Sequence, residues 1–215
     1  MNLVAYIRVE SAARGRLASA QDRLEESIRG FGLQPLPFPA GKDLVFFDEV
    51  LRAARAEAGG GAFVWCNSDV ELTRNPFDVP DPERVYGFHR RELPSGEINR
   101  GVDMFYIPTA VWDGVLVRDV PRLYAGASFV DRWIPRLMAK LGNYENLEGY
   151  IDHVTHPTSA ASGSDANRHY QWNFREYNRF AARNALPPIP APPFLVPRVG
   201  HVWGLRDLWR RLISK

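Results

Sequence analysis

The sequence predicts an α/β fold, and three observations carry the prediction. Within the first 66 residues, segments of strand-like and helix-like periodicity alternate as strand, helix, strand, helix, strand. That order belongs to right-handed crossovers in a mainly parallel sheet flanked by helices. The run Ala62-Phe63-Val64-Trp65-Cys66 is continuously apolar, as in a strand covered on both faces. Finally, 45 % hydrophobic and 24 % charged residues in a chain of 215 supply one sizeable core and a wettable surface.

Each element has its own signature. Leu3-Val4-Ala5-Tyr6-Ile7-Arg8-Val9 is rich in β-branched and aromatic residues and reads as a strand. Leu17, Leu24, Ile28 and Phe31 then recur at helical spacing, with Glu25 four before Arg29 and a stop at Gly30 or Gly32. The apolar run 33–38 is interrupted by prolines, which restrict it to an edge strand or an extended segment. Leu44, Phe47, Leu51, Ala54 and Ala58 line a second helix, ended by Gly59, Gly60 and Gly61 ahead of the buried strand 62–66. Residues 85–90 and 102–107 read as two strands of a hairpin or insertion, joined through Pro94-Ser95-Gly96 and Asn99-Arg100-Gly101. Apolar positions 129, 133, 134, 137, 138 and 141 form a helical stripe that stops at Gly142, and 148–155 reads as a last short strand. A polar loop over 159–167 leads to a helix over 172–185. One domain is expected over 1–186. Residues 187–215 add an extended proline-rich stretch, 187–193, and an amphipathic helix packed on the same domain.

Composition also excludes function classes. Twenty-seven basic against twenty-five acidic residues leave a net charge of +2, which argues against a dedicated nucleic-acid binder. A single cysteine, Cys66, excludes an internal disulfide framework, and the start of the chain has no signal-peptide pattern, so a cytoplasmic protein is expected. No stretch reaches the ~18 apolar residues of a membrane span. The last helix combines Leu205, Leu208, Trp209, Leu212 and Ile213 with Arg206, Arg210, Arg211 and Lys215. It can dock on its own domain or lie on an anionic membrane surface. Gly-x-Gly-x-x-Gly, the P-loop, Gly-x-Ser-x-Gly and His-Glu-x-x-His are all missing, which removes dinucleotide oxidoreductases, P-loop ATPases, serine hydrolases and zinc proteases.

The chemistry that remains collects at strand ends, where open α/β sheets bind ligands. Asn67-Ser68-Asp69 directly follows the buried strand. A carboxylate there can hold Mg²⁺ or Mn²⁺ against the phosphates of a nucleotide, and equally Asn67 and Asp69 can end a strand and cap a turn. Arg8, Arg14 and Arg16 follow the first strand, either solvated or placed to meet a diphosphate. Asp131 stands at a predicted helix start, where an acid caps the helix or serves as a general base. Asp103 lies on a strand, within the range of an ion pair with Arg90, Arg91 or Arg100. His153 and His156 share a strand segment at an odd separation, so only one of them faces a site.

Taken with Gly101-Val102-Asp103-Met104-Phe105, Val130-Asp131-Arg132-Trp133 and Ile151-Asp152-His153-Val154-Thr155-His156, the order of elements up to Asn67-Ser68-Asp69 resembles the GT-A-type nucleotide-diphosphosugar glycosyltransferases, small bacterial GT-A-like proteins among them. The resemblance spans about residues 3 to 156 and departs from the Asp-x-Asp metal motif at Asn67. It implies that Asp69 binds Mn²⁺ or Mg²⁺ and that His156 completes the coordination, with His153 facing away. It further implies that Asn67 and Ser68 line the donor, that Asp103 borders the sugar pocket, and that Asp131 deprotonates the acceptor. The implied donor is a nucleoside diphosphate sugar, and the acceptor a saccharide or a lipid-linked glycan. Trp65, Trp112 and Trp133 would be pocket walls, or core. The alternative is a non-catalytic nucleotide-sugar-binding or partner-binding module of the same fold, which has lost metal affinity through Asn67.

Overall fold

The computed structural model describes residues 2–9, 15–40, 45–125, 129–154 and 164–190. Strand β1 (Leu3–Val9) is followed by helix α1 (Gly15–Gly30), β2 (Gln34–Ala40), α2 (Phe47–Glu57) and β3 (Ala62–Cys66), the alternation that the sequence predicts. A short strand β4 (Val70–Leu72) precedes β5 (Val85–Leu93) and β6 (Ile98–Pro108). After α3 (Thr109–Gly114) and one 3₁₀ turn come α4 (Val130–Lys140), β7 (Tyr144–Val154) and α5 (Ser164–Arg183).

All seven strands form one sheet in the order β2-β1-β3-β6-β5-β7-β4. β1 pairs in parallel with β2 and β3, and β5 with β7, whereas β6 and β4 pair antiparallel to their neighbours. Five strands therefore point one way and two the other. The prolines of β2 agree with its place at the sheet edge: Pro35, Pro37 and Pro39 alternate, so their missing N–H groups all fall on the side away from β1.

The sheet is covered on both faces, as the continuous burial of β3 requires. On one side Leu24 and Ile28 of α1 pack with Val4, Tyr6, Val64, Met104 and Tyr106. On the other, α2 to α5 enclose Phe63, Trp65, Phe105, Trp112, Trp133 and Phe180. Trp65, Trp112 and Trp133 are thus core and not pocket walls, because each ring is inserted between sheet and helices. Gly142 ends α4 in the left-handed conformation (φ +72°), which lets the Asn143 N–H return to the Met138 carbonyl at 2.9 Å.

Four local expectations change. β4 is absent from the sequence reading, since three residues show no periodicity. Asn99-Arg100-Gly101 belongs to β6, and the hairpin turn is confined to 94–97. β7 starts at Tyr144 and contains a bulge: between the pairs Phe88↔Leu147 and Arg90↔Ile151 it uses four residues against two of β5, with Gly149 at φ +77°. The expected loop 159–167 overlaps the start of α5. Residues 186–190 form neither helix nor strand, and Ile189 is held along α5 by both ends of the Asn178 amide. The C-terminal helix lies outside the described residues. Among those described, no helix is long and apolar enough to cross a membrane.

Candidate active site

The parallel strands β3, β5 and β7 end on the same side of the sheet, and their last residues converge there. β3 releases the chain at Cys66, whose buried thiol is pushed up in pKa by desolvation and is no nucleophile. The Asn67 N–H donates to the Asp103 carbonyl at 2.7 Å, and its side-chain amide donates to Asp103 Oδ1. The pairs Phe88↔Met104 and His89↔Val102 leave Asp103 without a partner on β5. This bulge turns its carboxylate toward Asn67 and Arg90. Arg90 Nη1 donates to Asp103 Oδ2 at 2.7 Å and its Nε to Glu92 Oε1 at 2.6 Å. Asn99 Nδ2 donates to the same Glu92 oxygen at 3.0 Å.

His153 links this network to Asp69. On β7 it is in register with Glu92 of β5 on one side and with Val70 of β4 on the other. Its Nδ1 lies 2.6 Å from Glu92 Oε2, and its Nε2 lies 3.4 Å from Asp69 Oδ2. The expectation that His153 faces away from the site is therefore corrected. The strand pairing of β4 with β7 places it beside Asp69. His156 lies outside the described residues.

Burial sets the electrostatics. Asp103 is 6 % exposed, and desolvation holds its carboxyl above the ordinary value despite the opposing Arg90. His153 is raised, first by its contact with Asp69, against desolvation and with help from Glu92. Its protonated form thus bridges two carboxylates, and a cation must displace the Nε2 proton to bind.

The donor set fits a divalent ion on these terms. Both oxygens of Asp103 and of Glu92 are engaged by donors, whereas Asp69 Oδ2 and His153 Nε2 face each other. Their separation is near the ~3 Å expected of adjacent ligands about 2.1 Å from one ion. Among the described residues no third His, Cys, Asp or Glu completes a cluster. Water and phosphate oxygens would fill the remaining positions, as Mg²⁺ and Mn²⁺ permit.

The other predicted residues are distributed more widely. Ser68 lies half-buried in the turn between β3 and β4. Asp131 is in the first turn of α4, where burial raises its carboxyl while Arg132 and the backbone amides of residues 131 and 129 oppose the shift. Arg90 opposes the shift as well, more weakly. Of the three arginines the ion pair could use, Arg90 holds Asp103. Arg91 instead pairs with Asp152, both nitrogens reaching the carboxylate at 2.8 and 2.7 Å. Arg8, at the end of β1, donates to Glu25 of α1 and lies 3.8 Å from Asp22. Arg14 is outside the described residues, as is the side chain of Arg16. Glu92 and Arg90 were missed as site residues. Their place two and four residues before the Pro94-Ser95-Gly96 turn reads as ordinary hairpin polarity, and only the pairing of β5 with β7 reveals their role.

A shallow crease lined by Ala20, Arg23, Asp69, Val70, Glu71 and Asp152 reaches Asp69 but is too tight to admit a water molecule. The larger hollow, about 590 Å³ beside Asn2, Phe31, Leu33, Gln34 and Asn75, is at the opposite ends of β1 and β2 and has no titratable lining residue.

No protein-family model and no curated protein matches the sequence. Solved structures do. TarS of S. aureus in complex with UDP-GlcNAc matches with a TM-score of 0.52 and 10 % identity, over 85 % of this chain and 66 % of that one. The catalytic domain of Drosophila β1,4-galactosyltransferase 7 in complex with xylobiose gives 0.49 and 7 %, over 80 % of each chain. A glycosyltransferase involved in glycosylation of the major capsid of PBCV-1 gives 0.44 and 12 %, over 79 % of this chain and 98 % of that one. With its seven mainly parallel strands flanked by helices, its strand ends gathered around Asp69, and the match to TarS, this chain has the GT-A fold.

Proposed function

We propose that this protein transfers a sugar from a nucleoside diphosphate sugar to an acceptor hydroxyl, with Asp69 and His153 holding a Mn²⁺ or Mg²⁺ ion. The observation that carries this reading is the meeting of those two side chains where β3 and β7 end. When bound, the ion supplies positive charge for the departing diphosphate.

The chain's own residues do the rest. Asp69 Oδ2 and His153 Nε2 fix where the diphosphate has to sit. Asn67, its amide committed to Asp103, holds the end of β3 so that Asp69 is presented from a rigid turn. Asp131 accepts the proton of the acceptor hydroxyl. As the acceptor oxygen bonds to the anomeric carbon, the bond from that carbon to the diphosphate oxygen breaks and the diphosphate leaves with the electron pair. Burial, by raising the Asp131 carboxyl, makes it a better proton acceptor than an exposed aspartate. A saccharide or a lipid-linked glycan is the acceptor class.

The test is a panel of UDP- and GDP-sugars mixed with the purified protein, with and without Mn²⁺. The expected result is metal-dependent thermal stabilisation followed by release of nucleoside diphosphate. Asp69→Ala should abolish both, with far-ultraviolet circular dichroism unchanged. Unchanged turnover in that variant would overturn the assignment. Binding without turnover in the wild type would establish a nucleotide-sugar-binding module instead.

A further inference from the structure

We infer that Glu92 is a positioning residue: it holds His153 with a proton on Nδ1 and so makes Nε2 the atom offered toward Asp69. The inference rests on the proposed ion site and concerns a side chain that touches neither ion nor donor.

Three observations converge. First, Glu92 Oε1 accepts from Arg90 Nε at 2.6 Å and from Asn99 Nδ2 at 3.0 Å, and its Oε2 lies 2.6 Å from His153 Nδ1. The Arg90 guanidinium on Oε1 favours the ionised carboxylate, which can only accept, so the 2.6 Å contact at Oε2 assigns the proton to Nδ1. Second, the contact is built into the sheet. Glu92 and His153 are cross-strand partners of the parallel pair β5·β7, so their spacing follows from backbone hydrogen bonds and not from a loop. Third, Glu92 is itself held. Arg90 spans Glu92 and Asp103, and Asp103 is fastened to Asn67 at the end of β3, the residue from which the chain turns to Asp69. The chain of contacts closes a ring: Asp69, His153, Glu92, Arg90, Asp103, Asn67 and back along the backbone. An imidazole that gives its Nδ1 proton to a carboxylate is oriented, more basic at Nε2 and suited to a metal.

Glu92→Gln tests this with almost no change of shape. Arg90 and Asn99 still need an acceptor, so the amide oxygen turns to them and the amide NH₂ turns to His153. Nδ1 must then accept, and the proton moves to Nε2, opposite Asp69. Titration of Mn²⁺ into the protein without any donor, followed by electron paramagnetic resonance of the unbound ion, is expected to show affinity falling about 10- to 100-fold. Imidazole ¹⁵N spectra of the Mg²⁺-loaded wild type should show His153 protonated on Nδ1, and those of the variant should show it protonated on Nε2.

Equal Mn²⁺ affinity in wild type and variant would overturn the role of Glu92 while leaving the ion site standing. A wild type that binds no Mn²⁺ would overturn the ion site, and with it this inference. Should the variant not fold, the wild-type spectrum decides alone: an Nε2-protonated His153 in the Mg²⁺-loaded protein would refute the assignment.

Discussion

Glu25 on α1 accepts from the Tyr6 hydroxyl, from Arg8 and, at 2.8 Å, from Arg29. Burial alone would lift its carboxyl, but these three donors outweigh it and hold the group below the ordinary glutamate value. A carboxyl depressed in the folded state adds stability that is fully present above its unfolded pKa and is lost as pH falls through the folded one. Urea midpoints of the wild type should therefore drop on going from about pH 7 to about pH 3 more steeply than those of Glu25→Gln, and the gap between the two should narrow in acid. A constant gap would mean that Glu25 contributes through shape and not through charge. The same residue explains Arg8, which sequence alone left between solvent and ligand: its guanidinium already has a buried anion to neutralise.

At the scale of elements, the approach of β7 to β5 is governed by one missing side chain. A Cβ on Gly87 would lie 1.9 Å from Tyr144 Oη and 2.9 Å from both Tyr144 Cζ and Val102 Cγ1. Tyr144 is held in that place by donating to Asn146 Oδ1 at 2.6 Å. Gly87→Ala should cost about 1–3 kcal/mol in chemical denaturation, and adding Tyr144→Phe should recover part of the loss. Full additivity of the two would place the strain elsewhere. Elements with a clear period were legible beforehand: α1, α2 and α4 from their apolar stripes, β1 and β3 from composition. β4 was not, because three residues cannot display alternation. That omission hid the Asp69–His153 contact, since the register Val70↔His153 is what brings the two together. The bulge at Gly149 likewise cannot be read from the chain, because a lone glycine in a strand has several meanings.

For the molecule as a whole, the βαβαβ opening determined the class of fold, and the rule that ligands gather at strand ends pointed to Asn67, Ser68 and Asp69. What lay beyond it was the second half of the sheet. Glu92 and His153 belong to strands far apart in sequence, and their neighbourhood follows from the order β5-β7-β4, a global property without local trace. Asp69 is attached to the outermost of these strands. Among the described residues β4 pairs only with β7, and its Leu72 N–H donates to Ser27 Oγ of α1 at 3.1 Å.

The rim of a sheet frays before its middle, so the proposed grip on a cation should be lost before the fold. In mild urea, Mn²⁺ release is expected to precede the loss of helical circular dichroism. Ser27→Ala, which removes the acceptor for the Leu72 amide, should advance that release while the main unfolding transition stays close to its wild-type midpoint. Coincident transitions in both proteins would show the rim to be as firm as the core. If release comes first, the three-residue edge strand is a latch for the proposed ion: closed, it completes the grip, and sprung, it lets the ion go with the fold still standing.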